Sequence, residues 1–175
     1  MKSGIPLPLF ATDQFMTNII TKVQQFLIKN NLVLVTTESC TGGWVAKLMT
    51  DRAGSSAYFD RGFVTYSNQS KQDMLGVREK TLEEHGAVSE PVVKEMVQGA
   101  LQHSSADIAI AISGIAGPSG GSKEKPVGTV CFAWMLKGFS AEAETCLFSG
   151  NRENIREKSV EYALNGIIEK IGAKI

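Results

Sequence analysis

A short β-branched run that empties into a turn of small polar residues, followed at once by a helix-forming stretch, limits what this chain can fold into. Leu32-Val33-Leu34-Val35-Thr36 predicts a strand, Thr37-Glu38-Ser39-Cys40-Thr41-Gly42-Gly43 a turn, and Trp44-Val45-Ala46-Lys47-Leu48-Met49 a helix. A helix that begins there leaves N–H groups of its first turn unpaired and facing the strand's end. Gly42 and Gly43, without Cβ atoms, let a ligand or a reacting carbonyl approach that backbone. Ser39 and Cys40 bring two possible nucleophiles to the same place. Such a turn can serve as an anion cradle or as a nucleophile elbow.

The same alternation recurs along the chain. Thr12 or Asp13 can cap a first helix with Phe15, Ile19, Val23, Phe26 and Leu27 on one stripe, ending near Asn30-Asn31. Arg61–Tyr66 reads as a short strand that delivers Tyr66 near its end. Ser67–Lys71 opens a helix through Met74-Leu75 that Gly76 stops. Ser89 caps a helix from Glu90 with Pro91 in its first turn, and Val92, Val93, Met96, Val97, Ala100 and Leu101 face the core. Asp107–Ile112 suits a strand buried on both faces, running into a glycine-rich loop at 113–122. Strands at 127–134 and 145–148 form a hairpin, and a final helix carries Ile155, Val160, Leu164, Ile167, Ile168 and Ile171. The expected architecture is a three-layer α/β/α sandwich with a mixed, mostly parallel sheet. Residues 1–12, interrupted by Pro6 and Pro8, read as a flexible tail or a strap onto a neighbouring subunit, and 13–175 as one domain.

Composition excludes several classes of function. At 175 residues the chain can bury a core without staples. Its 18 basic and 18 acidic side chains balance, so no bulk field points to nucleic acid or a membrane surface. No run approaches membrane-spanning length or a signal peptide's apolar region. Cys40, Cys131 and Cys146 are far apart and odd in number, which fits free thiols in a cytoplasmic protein. His85 and His103 are distant in sequence and there is no CxxC, so a zinc site has no support. Neither GxxxxGK[ST] nor GxGxxG occurs, which disfavours a nucleotide kinase or a dinucleotide site.

Three small-residue loops, 38–43, 113–122 and 149–152, follow apparent strand ends. In open α/β sheets ligands bind outside the carboxyl ends of strands, so these loops can frame one pocket. Taken singly, each could be no more than a tight turn. A serine needs a base, and neither histidine lies in a strand-end loop. Lysine can take that role if burial or a neighbouring cation keeps it neutral. Lys71, Lys123 and Lys125 are the candidates, each of them otherwise an ordinary solvated lysine. Cys40 rivals Ser39, because a thiol at a helix N-terminus needs less help. These residues alone leave the nucleophile and the base open.

The strings TTESCTGGWVAKLMTDRAGSSAYFDRGFVTYSNQSK, HGAVSEPVV, SGIAGPSGGSKEKPVGTV and FSGNR resemble nicotinamide-nucleotide amidases. That family includes the carboxy-terminal domain of the competence/damage-inducible protein CinA and stand-alone forms, and the likeness covers roughly residues 13–172. The resemblance implies an enzyme that hydrolyses the carboxamide of nicotinamide mononucleotide to nicotinic acid mononucleotide and ammonia, in pyridine nucleotide recycling, with no metal or other cofactor. It implies Ser39 as nucleophile, with Lys71 and Tyr66 as partners. Backbone groups from Cys40, Thr41, Gly42 and Gly43 then hold the oxyanion. Ser113, Gly114, Gly117, Lys125 and Arg152 are the candidates for binding the substrate and its phosphate. The expected partner is a small nucleotide and, by family habit, a second copy of the chain, making a homo-oligomer. A non-catalytic nucleotide-binding homologue and an amidase for another substrate are the alternatives.

Overall fold

The computed structural model describes residues 14–175. The expected tail at 1–12 and the caps Thr12 and Asp13 lie outside them, as does the side chain of Phe15. Helix α1, Gln14–Lys29, leads to strand β1, Leu34–Glu38, and helix α2, Trp44–Thr50. Strand β2, Phe59–Val64, and three helices follow: α3, Asn68–Leu75, α4, Glu79–His85, and α5, Glu90–Gln102. Strands β3, Ile108–Gly114, β4, Thr129–Leu136, and β5, Glu142–Leu147, precede helix α6, Arg152–Gly166, which passes into a π-helical turn, Ile167–Ile171.

The five strands form one sheet in the order β2-β1-β3-β4-β5. β1 pairs in parallel with both β2 and β3, whereas β4 is antiparallel to β3 and to β5. β4 alone therefore runs against the rest, and the carboxyl ends of β1, β2, β3 and β5 lie on one edge. Period-2 alternation sorts the strands onto two faces. Leu34, Ile108, Ile110, Ile112, Val130, Phe132 and Trp134 pack with α1, α2 and α6. Val35, Ala109, Ala111, Cys131 and Ala133 pack with α3, α4 and α5. The alanines on that second face leave room for α5 to lie close on the sheet. This is the α/β/α sandwich with a mixed, mostly parallel sheet that the sequence leads one to expect.

Two close approaches fix where the layers sit. A Cβ on Gly99 of α5 would lie 1.9 Å from the Leu75 carbonyl oxygen, so only glycine lets α5 meet the end of α3. A Cβ on Gly62 would lie 2.8 Å from the Ala46 Cβ, which brings α2 down onto β2. On the same side of the sheet as α2, the Trp134 indole donates to the Ala163 carbonyl over 2.9 Å. The Ile167 N–H bonds to Leu164 and Asn165 instead, and α6 widens there into its π turn.

Several boundaries differ from expectation. β1 starts and ends two residues later than the apolar run, so Thr37 and Glu38 belong to the strand rather than the turn. Its pairing with β3 continues to Ile112 and carries those polar residues along. β2 ends at Val64, which puts Tyr66 beyond the strand. Helix α4 has no expected counterpart: Glu79–His85 is polar, with only Thr81 and Leu82 buried, and gives little periodic signal. Ser89 stands before α5 but does not cap it; its hydroxyl donates to the Gly86 carbonyl.

Candidate active site

The turn after β1 is held from several directions. The Ser39 N–H donates to the Ile112 carbonyl over 2.9 Å, and the Thr65 N–H donates to the Glu38 carbonyl over 2.8 Å. β1 is thereby held to β3, and β2 to β1, one residue past the end of each strand. Alternation then sends the neighbouring side chains to opposite faces. Glu38 is fully buried on the α2 side and accepts N–H bonds from Gly43 at 3.0 Å, Val45 at 3.1 Å and Ala46 at 2.9 Å. It is the anion at the N-terminus of α2, in the place that a substrate group could have taken. Ser39, only 9% exposed, turns to the other face.

There it meets Lys71, whose Nζ lies 3.1 Å from the Ser39 Oγ and donates over 2.7 Å to the Thr65 carbonyl. Lys71 is 1% exposed. It sits in the first turn of α3, which Ser67 caps reciprocally with Ser70. Gly76 ends the helix in the left-handed conformation at φ 67°. Burial disfavours the ammonium and lowers the Lys71 pKa from 10.5 to about 8, opposed by the nearby Cys40 thiol. A lysine that gives up its proton near neutrality, on a serine hydroxyl, is the arrangement of a Ser–Lys nucleophile.

Cys40 is placed otherwise. It is buried, and desolvation pushes its thiol up to about 11 despite its own backbone N–H and the Arg156 charge. The expected help from a helix N-terminus is absent because Glu38 already occupies that end. Lys71 bonds the serine and not the thiol.

The backbone donors of the turn divide unequally. The Gly42 N–H is spent on the Ser39 carbonyl at 3.1 Å, and the Gly43 N–H on Glu38. Among the described residues no acceptor meets the Thr41 N–H, and the Cys40 N–H reaches only its own thiol. Of the four residues expected to offer oxyanion donors, those two have theirs uncommitted to any other residue. The glycines serve conformation instead, at φ 65° and 91°.

The other expected residues separate into two groups. Arg152, at the start of α6, donates through Nη1 to the Gly117 carbonyl at 2.8 Å and through Nη2 to the Tyr66 hydroxyl at 3.1 Å. Those bonds tie the glycine loop, the β2–α3 connection and α6 together at the mouth of the site. Tyr66 is 63% exposed and bonds neither Ser39 nor Lys71. Ser113 donates to the Ala87 carbonyl, and a Cβ on Gly114 would press on Val130 at 2.7 Å. Lys125 is drawn to the α4–α5 connection, where its ammonium meets the His85 and Val88 carbonyls at 2.7 Å each. Lys123, the remaining lysine candidate, is exposed in the loop.

Two residues escape a reading of the sequence. Glu38 carries a weak signal, an acidic residue one place before the nucleophile and just ahead of a helix. Arg156 carries none beyond lying one helical turn after Arg152. Its Nε donates to the Cys40 carbonyl at 3.0 Å and its Nη2 to the Thr41 carbonyl at 2.9 Å, with the guanidinium 5.2 Å from the Trp44 ring centroid. A cavity of about 660 Å³ opens between α2 and α6 on this side, walled by Thr41, Gly42, Gly43, Trp44, Arg152 and Arg156 among others. Ser39 and Lys71 do not line it. Among the described residues no group of three or more His, Cys, Asp or Glu is placed to hold a metal ion, and no helix is long and apolar enough to cross a membrane.

Residues 16–171 match the family described as the CinA C-terminal domain. The chain belongs to the CinA C-terminal domain family. Within it, the chain is 56% identical over 154 residues to the nicotinamide-nucleotide amidohydrolase PncC of Escherichia coli strain K12, covering 87% of this chain and 93% of that protein. A putative competence-damage inducible protein of Symbiobacterium thermophilum is 52% identical over 150 residues, 81% of this chain but 35% of that longer one. Among solved CinA-family structures, the competence/damage inducible protein CihA of Agrobacterium tumefaciens superposes with a TM-score of 0.87 at 41% identity, over 90% of this chain and 96% of that one. A CinA-superfamily protein of Escherichia coli gives 0.84 at 38% identity over 93% of each.

Proposed function

We propose that this chain is a nicotinamide-nucleotide amidase that converts nicotinamide mononucleotide and water to nicotinic acid mononucleotide and ammonia, by way of a Ser39 acyl-enzyme. The observation that carries the mechanism is the buried Lys71 Nζ 3.1 Å from the Ser39 Oγ. The substrate assignment rests on the relative of Escherichia coli, named as a nicotinamide-nucleotide amidohydrolase and 56% identical.

The reactive form of the site is the one in which Lys71, with its pKa lowered to about 8, has given up its proton, and there the Ser39 hydroxyl donates to its nitrogen. The Ser39 Oγ attacks the carboxamide carbon while its proton passes to Nζ. The oxyanion lies against the Cys40 and Thr41 N–H groups. Collapse breaks the C–N bond, and Lys71 returns the proton to the leaving nitrogen, which departs as ammonia. Water then attacks the acyl ester and gives a proton to Lys71, which passes it to the Ser39 Oγ as the ester bond breaks, freeing nicotinic acid mononucleotide and the serine. Proton transfer of this kind contributes ~10²–10⁴-fold and each oxyanion donor ~10²–10³-fold.

The direct contact between Lys71 and Ser39 favours proton transfer without a relay. Tyr66 and Arg152, joined at the mouth of the site, are suited to the ribose phosphate end of the nucleotide. Lys125 is committed to two carbonyls and is the weaker phosphate ligand. A cytoplasmic location and assembly with further copies of the chain belong to the same proposal.

The test is ammonia release from nicotinamide mononucleotide by the purified protein, with Ser39→Ala alongside. Turnover that disappears in the variant supports the reading. A well-folded wild-type protein that stabilises with the nucleotide but releases no ammonia would make it a binding homologue.

A further inference from the structure

We infer that Arg156 is a positioning residue for the oxyanion site: by holding the Cys40 and Thr41 carbonyls it aims the Thr41 N–H at the substrate's developing charge. The inference rests on the Ser39 reading above and adds a residue that lies outside the reacting group.

The peptide bond is planar and trans, so the C=O of one residue and the N–H of the next point in opposite directions. Arg156 Nε pulls the Cys40 carbonyl toward α6 at 3.0 Å. The N–H of the same peptide plane, that of Thr41, is thereby turned away from α6. The second prong, Nη2 to the Thr41 carbonyl at 2.9 Å, fixes the next plane, whose Gly42 N–H is already closed onto the Ser39 carbonyl. Two consecutive peptide planes are set by one rigid fork, which a lysine ammonium could not reproduce. The fork is itself held, since its guanidinium stacks over Trp44 at the start of α2.

Among the described residues no carboxylate forms an ion pair with this side chain. Glu38, buried nearby, is consumed by the α2 amides. A cation pulling on the carbonyls of the donor peptides also polarises them, making the N–H ends better hydrogen-bond donors. Arg156 thus acts on the transition state through the backbone.

The test compares wild type, Arg156→Lys and Arg156→Ala in steady-state ammonia release from nicotinamide mononucleotide, with melting curves for each protein. The inference expects kcat to fall on the order of 10²-fold in both variants, the typical cost of one misplaced oxyanion donor, with KM changed less than about threefold. It also expects guanidinium ion added to Arg156→Ala to restore part of the lost turnover. A raised KM with kcat intact would make Arg156 a substrate ligand and overturn the inference. So would a fall in kcat that guanidinium leaves unchanged, or variants that no longer fold, because either marks an ordinary structural side chain. If wild type itself releases no ammonia, the amidase reading fails, and that outcome is distinguishable from all of these.

Discussion

The Lys71 side-chain nitrogen sits 3.1 Å from the Ser39 hydroxyl oxygen, in packed surroundings that leave the lysine almost no contact with solvent. The two residues come from different layers, one from the end of a central strand and one from α3. Their meeting depends on the Thr65 carbonyl, which takes the second Lys71 hydrogen bond at 2.7 Å.

Replacing Ser39 by Ala should abolish ammonia release, with a loss on the order of 10⁶-fold if the serine acts as the nucleophiles of serine hydrolase triads do. Cys40→Ala should keep turnover within about tenfold of wild type, because burial holds that thiol up at about 11 and protonated at neutral pH. Initial rates on the two variants decide between them. Loss confined to the cysteine variant would move the nucleophile by one residue.

The pH dependence follows from Lys71. The base must be neutral, so kcat/KM should rise with pH through an apparent pKa near 8, and Lys71→Met should be inactive across that range. Stability moves with it. The folded-state pKa, about 8, lies below the unfolded value, so between about pH 8 and 10.5 the unfolded chain binds more protons and stability rises with pH. Below pH 8 both states are protonated and the full cost of burying the ammonium, about 3 kcal/mol as an upper bound, is present. Urea titrations at pH 7 and pH 10 should therefore show wild type gaining on Lys71→Met as pH rises.

Tyr66 and Arg152 share one hydrogen bond, so their variants should not add. The combined effect of Tyr66→Phe and Arg152→Ala on kcat/KM should be smaller than the product of the single effects. A kinetic double-mutant cycle measures it. If Tyr66→Phe alone slowed turnover by about a hundredfold or more, the phenol would instead have a place in proton transfer.

Glu38→Ala should destabilise the protein by about 3 kcal/mol, since it strips the α2 N-terminus of a buried charged cap and leaves three N–H groups without their acceptor. Denaturant unfolding checks the magnitude. Activity should fall as well, because the same bonds set the turn that carries Ser39.

Much of the architecture can be read from residue patterns. The strand at 107–112, the helix opened by Ser67 and stopped by Gly76, and the helix from Glu90 each carry a period and a boundary signal, and each forms within a residue or two of where those signals put it. The hairpin of β4 and β5 is legible too, although β5 begins at Glu142, three residues ahead of the expected 145. The β1 boundary is not, because Thr37 and Glu38 look like turn residues and are strand residues only by pairing with Ala111 and Ile112. Helix α4 is hidden by its polarity. At the site, local pattern brings Ser39 and Lys71 forward but cannot join them, since a contact across 32 residues is made by tertiary packing. Arg156 shows the same limit more sharply, reaching the turn from 115 residues away.

The alternation that sends Glu38 under α2 and Ser39 toward α3 makes one choice serve two purposes. Sliding β1 by a single residue against its neighbours would trade the two faces. The carboxylate would then confront Lys71 as a plain ion pair, and a hydroxyl would be left to cap the helix. Insertions and deletions within β1 should thus be the changes this domain tolerates least, since they would exchange its anchor for its reagent.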